Sequence, residues 1–299
     1  MHQNDGVLEP PELERFIREG YLVVRSAFPP ELAEECRRSA AQQLGIDLAS
    51  PNTWRRPVVR GVPRGDCFRR AANAPRLLDA VGQLVNPDAW QARPNLGAFV
   101  VRFPSEEEPG DAGWHIDSSF QPPGDPRWCV NYRSKERALL LLCLVSDVGT
   151  DDAPSRLLPG SHLEMARLLA PAGEAGLPGA YEGQESEIPL PASRSGEVFA
   201  TGSAGDVFVC HPFLVHAASW PHRGEQPRFL AQPPMAVSDG LDLAAGSAVS
   251  CGQSDSARHQ RGGSFPRAAL GGTPGYRRDG GMSIGGTPLI HGDKNPPLG

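Results

Sequence analysis

The sequence predicts an α+β protein that is mainly β. Glycine and proline, with 34 and 31 of the 299 residues, together exceed a fifth of the chain, which argues against long helices. From about residue 96, short apolar segments alternate with Gly, Pro and Asp, a pattern typical of a barrel or a sandwich. Helical patterns precede that point.

The N-terminal part, residues 10–90, is expected to carry most of the helices. Proline at the start and glycine at the end delimit two helices, over residues 10–20 and 29–45. The apolar segment YLVV at 21–24 predicts a short buried strand between them, and a further short helix is expected at about 75–84.

The β core is expected over residues 96–236. Its strands are predicted at 97–103, 138–148, 155–159, 197–200, 206–210, 213–219 and 228–234. Residues 50–75 are expected to be irregular and rich in arginine, and residues 161–195 form a long insertion of the kind that often serves as a lid or binding loop. Residues 237–299, rich in Gly, Ser and Pro, lack periodic apolar positions and are expected to be a disordered tail.

Charge and hydropathy exclude several classes of protein. The net charge is -6 and the pI about 5.8, without a basic block, so a nucleic-acid partner is not expected. The longest apolar run, 138–145, is far shorter than the roughly 20 residues of a membrane helix. No signal peptide is visible and the six cysteines are scattered without a CxxC pair, so we expect reduced thiols and a cytoplasmic location.

Two histidines and one aspartate are candidate metal ligands. In the segment WHID, His115 and Asp117 are two residues apart, so in an extended chain both side chains lie on the same side. His216 lies inside an apolar strand, where a buried imidazole needs a partner for each nitrogen. His211, beside Pro212, is an alternative third ligand, although a loop or capping role is more common for such a residue.

Arg228 follows His216 by twelve residues and begins the next predicted strand. A guanidinium that points into a barrel needs an anion, and a carboxylate binds its fork in a bidentate way. Alone, Arg228 would by default be a surface arginine that begins a strand. Together with two histidines and one carboxylate, which leave three metal positions open in the facial triad of non-haem Fe(II) oxygenases, it suggests a co-substrate with a remote carboxylate.

These motifs resemble the phytanoyl-CoA dioxygenase family of Fe(II)/2-oxoglutarate oxygenases. The similarity covers about residues 10–235 and includes GWHID (113–117), SRLLPGSH (155–162) and GDVFVCHPFLVHAASWPHRGEQPRF (205–229). The resemblance implies a double-stranded β-helix (a cupin-like jelly roll) with flanking N-terminal helices, so that residues 1–236 form the catalytic domain.

The resemblance also implies roles for individual residues. His115, Asp117 and His216 would bind Fe(II), and Arg228 would bind the distal carboxylate of 2-oxoglutarate. Many family members have a serine two residues after the second histidine, but Ala218 stands there in this chain, so the neighbouring Ser219 becomes the candidate hydroxyl. Further candidate contacts to 2-oxoglutarate are Arg102 and Asn131.

The implied reaction uses O2 to hydroxylate an unactivated C–H bond of a small molecule, while 2-oxoglutarate loses CO2 to give succinate. Related halogenases have a small residue at the position of Asp117, so an aspartate there favours hydroxylation. Desaturation, epimerisation and cyclisation stay open.

Three alternatives compete with this interpretation. A cupin-like metalloenzyme that does not use 2-oxoglutarate would leave Arg228 without an evident role. A catalytically inactive binding protein could use the same barrel, and an altered gene product could carry a tail that no longer matches the fold.

Overall fold

The computed structural model describes residues 7–85, 93–134, 137–179, 185–191 and 196–235. The helices are α1 (Pro10–Glu19), α2 (Pro30–Gln43), α3 (Asp66–Ala72), α4 (Pro75–Leu84) and α5 (Ser161–Leu169), with short 3-10 turns at Pro51–Thr53 and Ala170–Ala172. The strands are β1 (Tyr21–Val24), β2 (Val58–Gly61), β3 (Ala98–Arg102), β4 (Cys129–Val130), β5 (Leu139–Leu144), β6 (Arg156–Leu157), β7 (Leu177–Pro178), β8 (Val198–Phe199), β9 (Val207–Cys210), β10 (His216–Ala217), β11 (Arg228–Gln232) and β12 (Pro234–Met235). This is a mixed α/β fold with antiparallel sheets and few helices.

Local sequence signals delimit the first helix. A capping box between Glu9 and Glu12, with proline at the first helical position, begins α1. Gly20 ends it in the left-handed conformation, with φ 81°, and donates its N–H to the carbonyl of Phe16. A Cβ at Gly20 would lie 2.4 Å from a ring nitrogen of His162, so the close approach of these two segments also requires glycine.

The large sheet has seven strands in the order β1-β9-β5-β11-β3-β2, with β12 also paired to β5. Both faces of β5 are buried, and alternate side chains enter different clusters. Leu139, Leu141 and Cys143 pack against the helices, whereas Leu140, Leu142 and Leu144 face the second sheet. This period-2 division explains why β5 is apolar throughout rather than alternating.

A small sheet, β10-β6-β8, covers the inner face of the large one. Leu157 of β6 and Leu214, just before β10, belong to the same buried cluster as the inward-facing leucines of β5. We call this layer between the two sheets the inner layer. Because His216 lies directly opposite Leu157 in the β10–β6 pair, its side chain is on the same face and points into the inner layer.

A third cluster lies under the insertion. Met165 and Leu169 of α5, together with Ile188, pack against Ile116. The described parts of the insertion are residues 161–179 and 185–191. Because Ile116 belongs to this cluster, the insertion lies against the segment that carries His115 and Asp117.

The prediction that residues 50–75 are irregular was wrong, because this stretch contains β2 and α3. The predicted tail, 237–299, lies outside the described residues. None of the helices in the described part of the chain has the length and apolar character that a membrane span requires.

Candidate metal centre

The structure brings His115, Asp117 and His216 together, although about a hundred residues separate the first two from the third. The backbones of His115 and His216 form an antiparallel bridge with N–H to carbonyl distances of 2.9 Å in both directions. Ile116, between His115 and Asp117, points the other way into the cluster under the insertion. The alternation of an extended chain therefore places both ligands on the inner side.

Backbone carbonyls determine which nitrogen of each imidazole is free. His115 Nδ1 lies 2.8 Å from the carbonyl of Gly113, and His216 Nδ1 lies 3.0 Å from that of Leu214. Because a carbonyl oxygen only accepts, both Nδ1 atoms carry the hydrogen and both Nε2 atoms keep a lone pair. His216 Nε2 is buried and has no hydrogen-bond partner among the described residues.

The distances between donor atoms fit a single ion. Asp117 Oδ1 lies 3.7 Å from His115 Nε2 and 3.6 Å from His216 Nε2, and all three candidate ligand atoms lie within 4.8 Å of one another. Two atoms that each bind one ion at about 2.1 Å are at most about 4.2 Å apart, and both distances from Asp117 Oδ1 lie below that limit. The buried lone pair of His216 Nε2 and this spacing fit a divalent ion such as Fe(II).

Asp117 is held ionised in this site. Burial alone would raise its pKa, but the Arg137 guanidinium and the two imidazoles hold the pKa of this carboxyl well below its usual range. Burial, with the nearby His216 ring, lowers the pKa of His115 and so favours its neutral form. A neutral imidazole and an ionised carboxylate are the forms that bind metals.

Arg156 connects the two segments that carry the histidines. Its Nη2 donates to the carbonyl of Ala112 at 2.7 Å, and its Nε donates to the carbonyl of Ala218 at 3.1 Å. Its guanidinium also lies over the Trp114 ring, 4.7 Å from the centroid. One side chain therefore holds both the segment before His115 and the segment after His216.

A pair of buried arginines lies on the same inner layer. Arg228 and Arg102 are directly opposite each other on β11 and β3, and each is only 2% exposed. Arg228 shares its face with Leu230, which faces the inner layer, whereas Phe229 packs towards the helices. Both Nε atoms are buried without a hydrogen-bond partner among the described residues.

The arginine pair carries more positive charge than its described partners neutralise. Arg228 donates to the carbonyl of Ala153, and Arg102 pairs with Asp111, which also accepts from Arg60. Burial, and then the neighbouring Arg102, lower the pKa of Arg228 to about 9. Such a pair is suited to bind an anion, because an added carboxylate would occupy the unsatisfied donors.

The other candidate residues already have partners. Ser219 Oγ donates to the carbonyl of Pro154 at 2.6 Å, and Asn131 Nδ2 donates to that of Glu174 at 3.0 Å. His211, the alternative third ligand, accepts from the N–H of Phe213 and packs with its ring 5.0 Å from the ring of His162. The structure therefore places His211 apart from the three clustered donors.

Sequence reasoning missed Arg137, Asp111 and Arg156. Arg156 lies in the motif SRLLPGSH (155–162), where its alternation with buried Leu157 is a usable signal. Arg137 and Asp111 lie in loops without periodicity, and only the folded chain brings them to their partners.

The fold and the site together fit a metal-binding protein of the two-histidine, one-carboxylate type. The family profile described as phytanoyl-CoA dioxygenase (PhyH) matches residues 16–230. The chain therefore belongs to the phytanoyl-CoA dioxygenase family, as the sequence motifs predict. Comparison with curated proteins gives no match.

Solved structures show the same fold at low sequence identity. A hypothetical protein from Escherichia coli is 16% identical with a TM-score of 0.54, covering 77% of this chain and 69% of that one. HygX from Streptomyces hygroscopicus, in a structure with nickel, 2-oxoglutarate and hygromycin B bound, is 19% identical with a TM-score of 0.50. That match covers 78% of this chain and 88% of HygX.

Proposed function

We propose that this protein is a non-haem Fe(II)/2-oxoglutarate-dependent dioxygenase that hydroxylates an unactivated C–H bond of a small molecule. The observation that carries the proposal is the convergence of His115 Nε2, His216 Nε2 and Asp117 Oδ1 in the inner layer. The two facing antiparallel sheets support a jelly-roll description of the core. Membership of the phytanoyl-CoA dioxygenase family supports the reaction class.

The chain's own residues perform the binding steps. His115, Asp117 and His216 would hold the metal and leave three positions open on one side. Arg228, with Arg102 beside it, would bind the distal carboxylate of 2-oxoglutarate. When bound, Fe(II), 2-oxoglutarate and O2 supply an oxidative decarboxylation to succinate and CO2 and the oxidising power to replace C–H by C–OH.

Ser219 and Asn131 stay candidate contacts for 2-oxoglutarate. Ser219 would have to give up the bond that its single hydroxyl hydrogen makes to the carbonyl of Pro154, and Asn131 Nδ2 already donates one of its two N–H groups to the carbonyl of Glu174. The arginine pair needs no such exchange, because both Nε atoms are already without partners in the described structure. We therefore assign the main carboxylate contact to the arginines.

We also propose the domain boundaries, the class of substrate and the cellular location. Residues 1–236 would form the catalytic domain and 237–299 a tail. The substrate would be a small molecule rather than a nucleic acid or a membrane. Five buried free cysteines in the described residues support a reducing, cytoplasmic location.

The test uses protein purified without oxygen. Adding Fe(II) and then 2-oxoglutarate should produce a metal-to-ligand absorption band, and admitting O2 should release succinate slowly without substrate. His216→Ala should abolish both signals. His211→Asn is the matched control, because the asparagine oxygen can still accept from the N–H of Phe213, and it should keep both.

If the wild type binds metal but shows neither signal, the cupin-like alternative without 2-oxoglutarate gains support. If it binds no metal, an inactive binding protein on the same barrel is the better description. Once the signals are established, a screen for succinate release above the uncoupled background identifies the substrate.

A further inference from the structure

The two oxygens of Asp117 face different partners. Oδ1 points to the two Nε2 atoms of the metal site, at 3.6 and 3.7 Å. Oδ2 accepts a hydrogen bond from Arg137 Nη1 at 2.6 Å. The second Nη of Arg137 donates to the carbonyl of Ser118 at 3.2 Å, so both arms of the guanidinium are engaged and its orientation is fixed.

The separate partners of the two Asp117 oxygens limit how this carboxylate can bind a metal ion. A carboxylate can bind a metal ion through one oxygen or through both. In the proposed function, 2-oxoglutarate and O2 need all three positions that the protein ligands leave open. A bidentate Asp117 would occupy one of these positions, so the reaction needs an aspartate that offers a single oxygen.

We propose that Arg137 is a positioning residue that reserves Oδ2 of Asp117 and so keeps a coordination position open for 2-oxoglutarate. The inference rests on the proposed function, because it concerns the same metal centre. Arg137 itself contacts Asp117 and the chain beyond it rather than the metal position. Its bond to the Ser118 carbonyl also fixes the backbone directly after the ligand, which limits rotation of the carboxylate.

The test compares Arg137→Met, which keeps an unbranched side chain but removes the charge and every donor, with Arg137→Lys, which keeps one charged donor. Ni(II) is the probe metal, and calorimetry measures first Ni(II) binding and then 2-oxoglutarate binding to the Ni(II)-loaded protein. Arg15→Met is the control, because Arg15 is an exposed arginine on α1 that pairs with Glu19. None of these readouts depends on turnover.

We expect Arg137→Met to bind one Ni(II) per chain but to lose about tenfold or more in 2-oxoglutarate affinity, the scale of effects seen for partners of metal ligands. Arg137→Lys should recover most of that loss, and Arg15→Met should match the wild type.

Unchanged 2-oxoglutarate affinity in Arg137→Met would overturn the proposal. Loss of Ni(II) binding in Arg137→Met would also overturn it, since Arg137 would then support the metal site as a whole. If thermal unfolding shows that Arg137→Met does not fold, Arg137→Gln, whose shorter side chain withdraws the donor from Oδ2, is judged by the same criteria. A wild type that binds Ni(II) but no 2-oxoglutarate would instead refute the proposed function.

Discussion

Replacing Arg228 by methionine should separate binding of 2-oxoglutarate from stability of the fold. Arg228 is buried opposite Arg102, and the only described hydrogen bond of its guanidinium is to the carbonyl of Ala153. Methionine keeps an unbranched side chain and removes the charge. We therefore expect Arg228→Met to lose affinity for 2-oxoglutarate while the protein without ligand stays at least as stable as the wild type.

The structure gives the scale of both effects. Burial and Arg102 lower the pKa of Arg228 from 12.5 to about 9, and at about 1.4 kcal/mol per pKa unit the charged form costs the ligand-free fold on the order of 5 kcal/mol. Removing one partner of a desolvated charge pair typically costs about 2–5 kcal/mol of binding free energy. That range corresponds to a loss of about 30-fold to about 4000-fold in affinity.

The stability difference between Arg228→Met and the wild type should depend on pH. Below about pH 9 the folded and unfolded chains both carry the proton, so the full cost of the buried charge is present. As the pH rises through about 9, the folded state releases the proton while the unfolded state keeps it, and the cost is relieved. The stability advantage of Arg228→Met over the ligand-free wild type should therefore shrink in alkaline solution.

Calorimetry on Ni(II)-loaded protein measures the affinity, and thermal unfolding with and without 2-oxoglutarate measures the stability. Arg223→Met is the control, because Arg223 is an exposed arginine of the same region that pairs with Glu106. If Arg228→Met binds 2-oxoglutarate as tightly as the wild type, or is several kcal/mol less stable without ligand, Arg228 does not hold the carboxylate of 2-oxoglutarate as a buried, uncompensated charge.

Three further predictions test the site and the fold. Arg156→Gln should weaken Ni(II) binding by about 10- to 100-fold, because it frees both histidine-bearing segments, and unaltered affinity in a chelator competition would contradict this role. Asp206→Ala should lower the free energy of unfolding, measured in urea, by about 3 kcal/mol, since this buried carboxylate accepts from the Arg25 guanidinium and two backbone N–H groups. A loss below about 1 kcal/mol would contradict a stabilising role for Asp206. Burial raises the pKa of Cys143 to about 12 and also raises those of Cys36 and Cys210. Mass spectrometry should therefore find these three thiols alkylated only after denaturation. Rapid alkylation of the native protein would show that these cysteines are not buried in the core.

Much of the fold was predictable because its signals are local. The proline at the start of α1 and the left-handed Gly20 at its end are features of a few neighbouring residues. The apolar run around β5 marks a strand that is buried on both faces. These signals need no knowledge of distant partners.

Residues 50–75 show where local signals failed. Cys67, Phe68, Ala71 and Ala72 have helical spacing and are buried in α3, but arginines and prolines around them obscure the pattern in a helix of seven residues. The strand predicted over 213–219 is reduced to His216–Ala217, because a turn from His211 to Leu214 and the bond from Val215 to Ser161 Oγ occupy the preceding backbone groups.

The residues of the site also divide into those that local sequence signals reveal and those that they do not. His115 and Asp117 could be found because their alternation is a local property, and His216 because it lies in an apolar segment that predicts burial. Arg228 could be found only in combination with those three residues. Arg137 and Asp111 act only through residues that the folded chain brings to them, so their loop sequences carry no signal.

The most direct measurement is anomalous scattering from a crystal grown with Mn(II) or Co(II) in place of Fe(II). We predict one peak bound by His115 Nε2, His216 Nε2 and Asp117 Oδ1 at about 2.0–2.3 Å, with Oδ2 still accepting from Arg137. A peak that is bound elsewhere in the chain, or a crystal in which these three atoms remain without metal, would contradict the assignment.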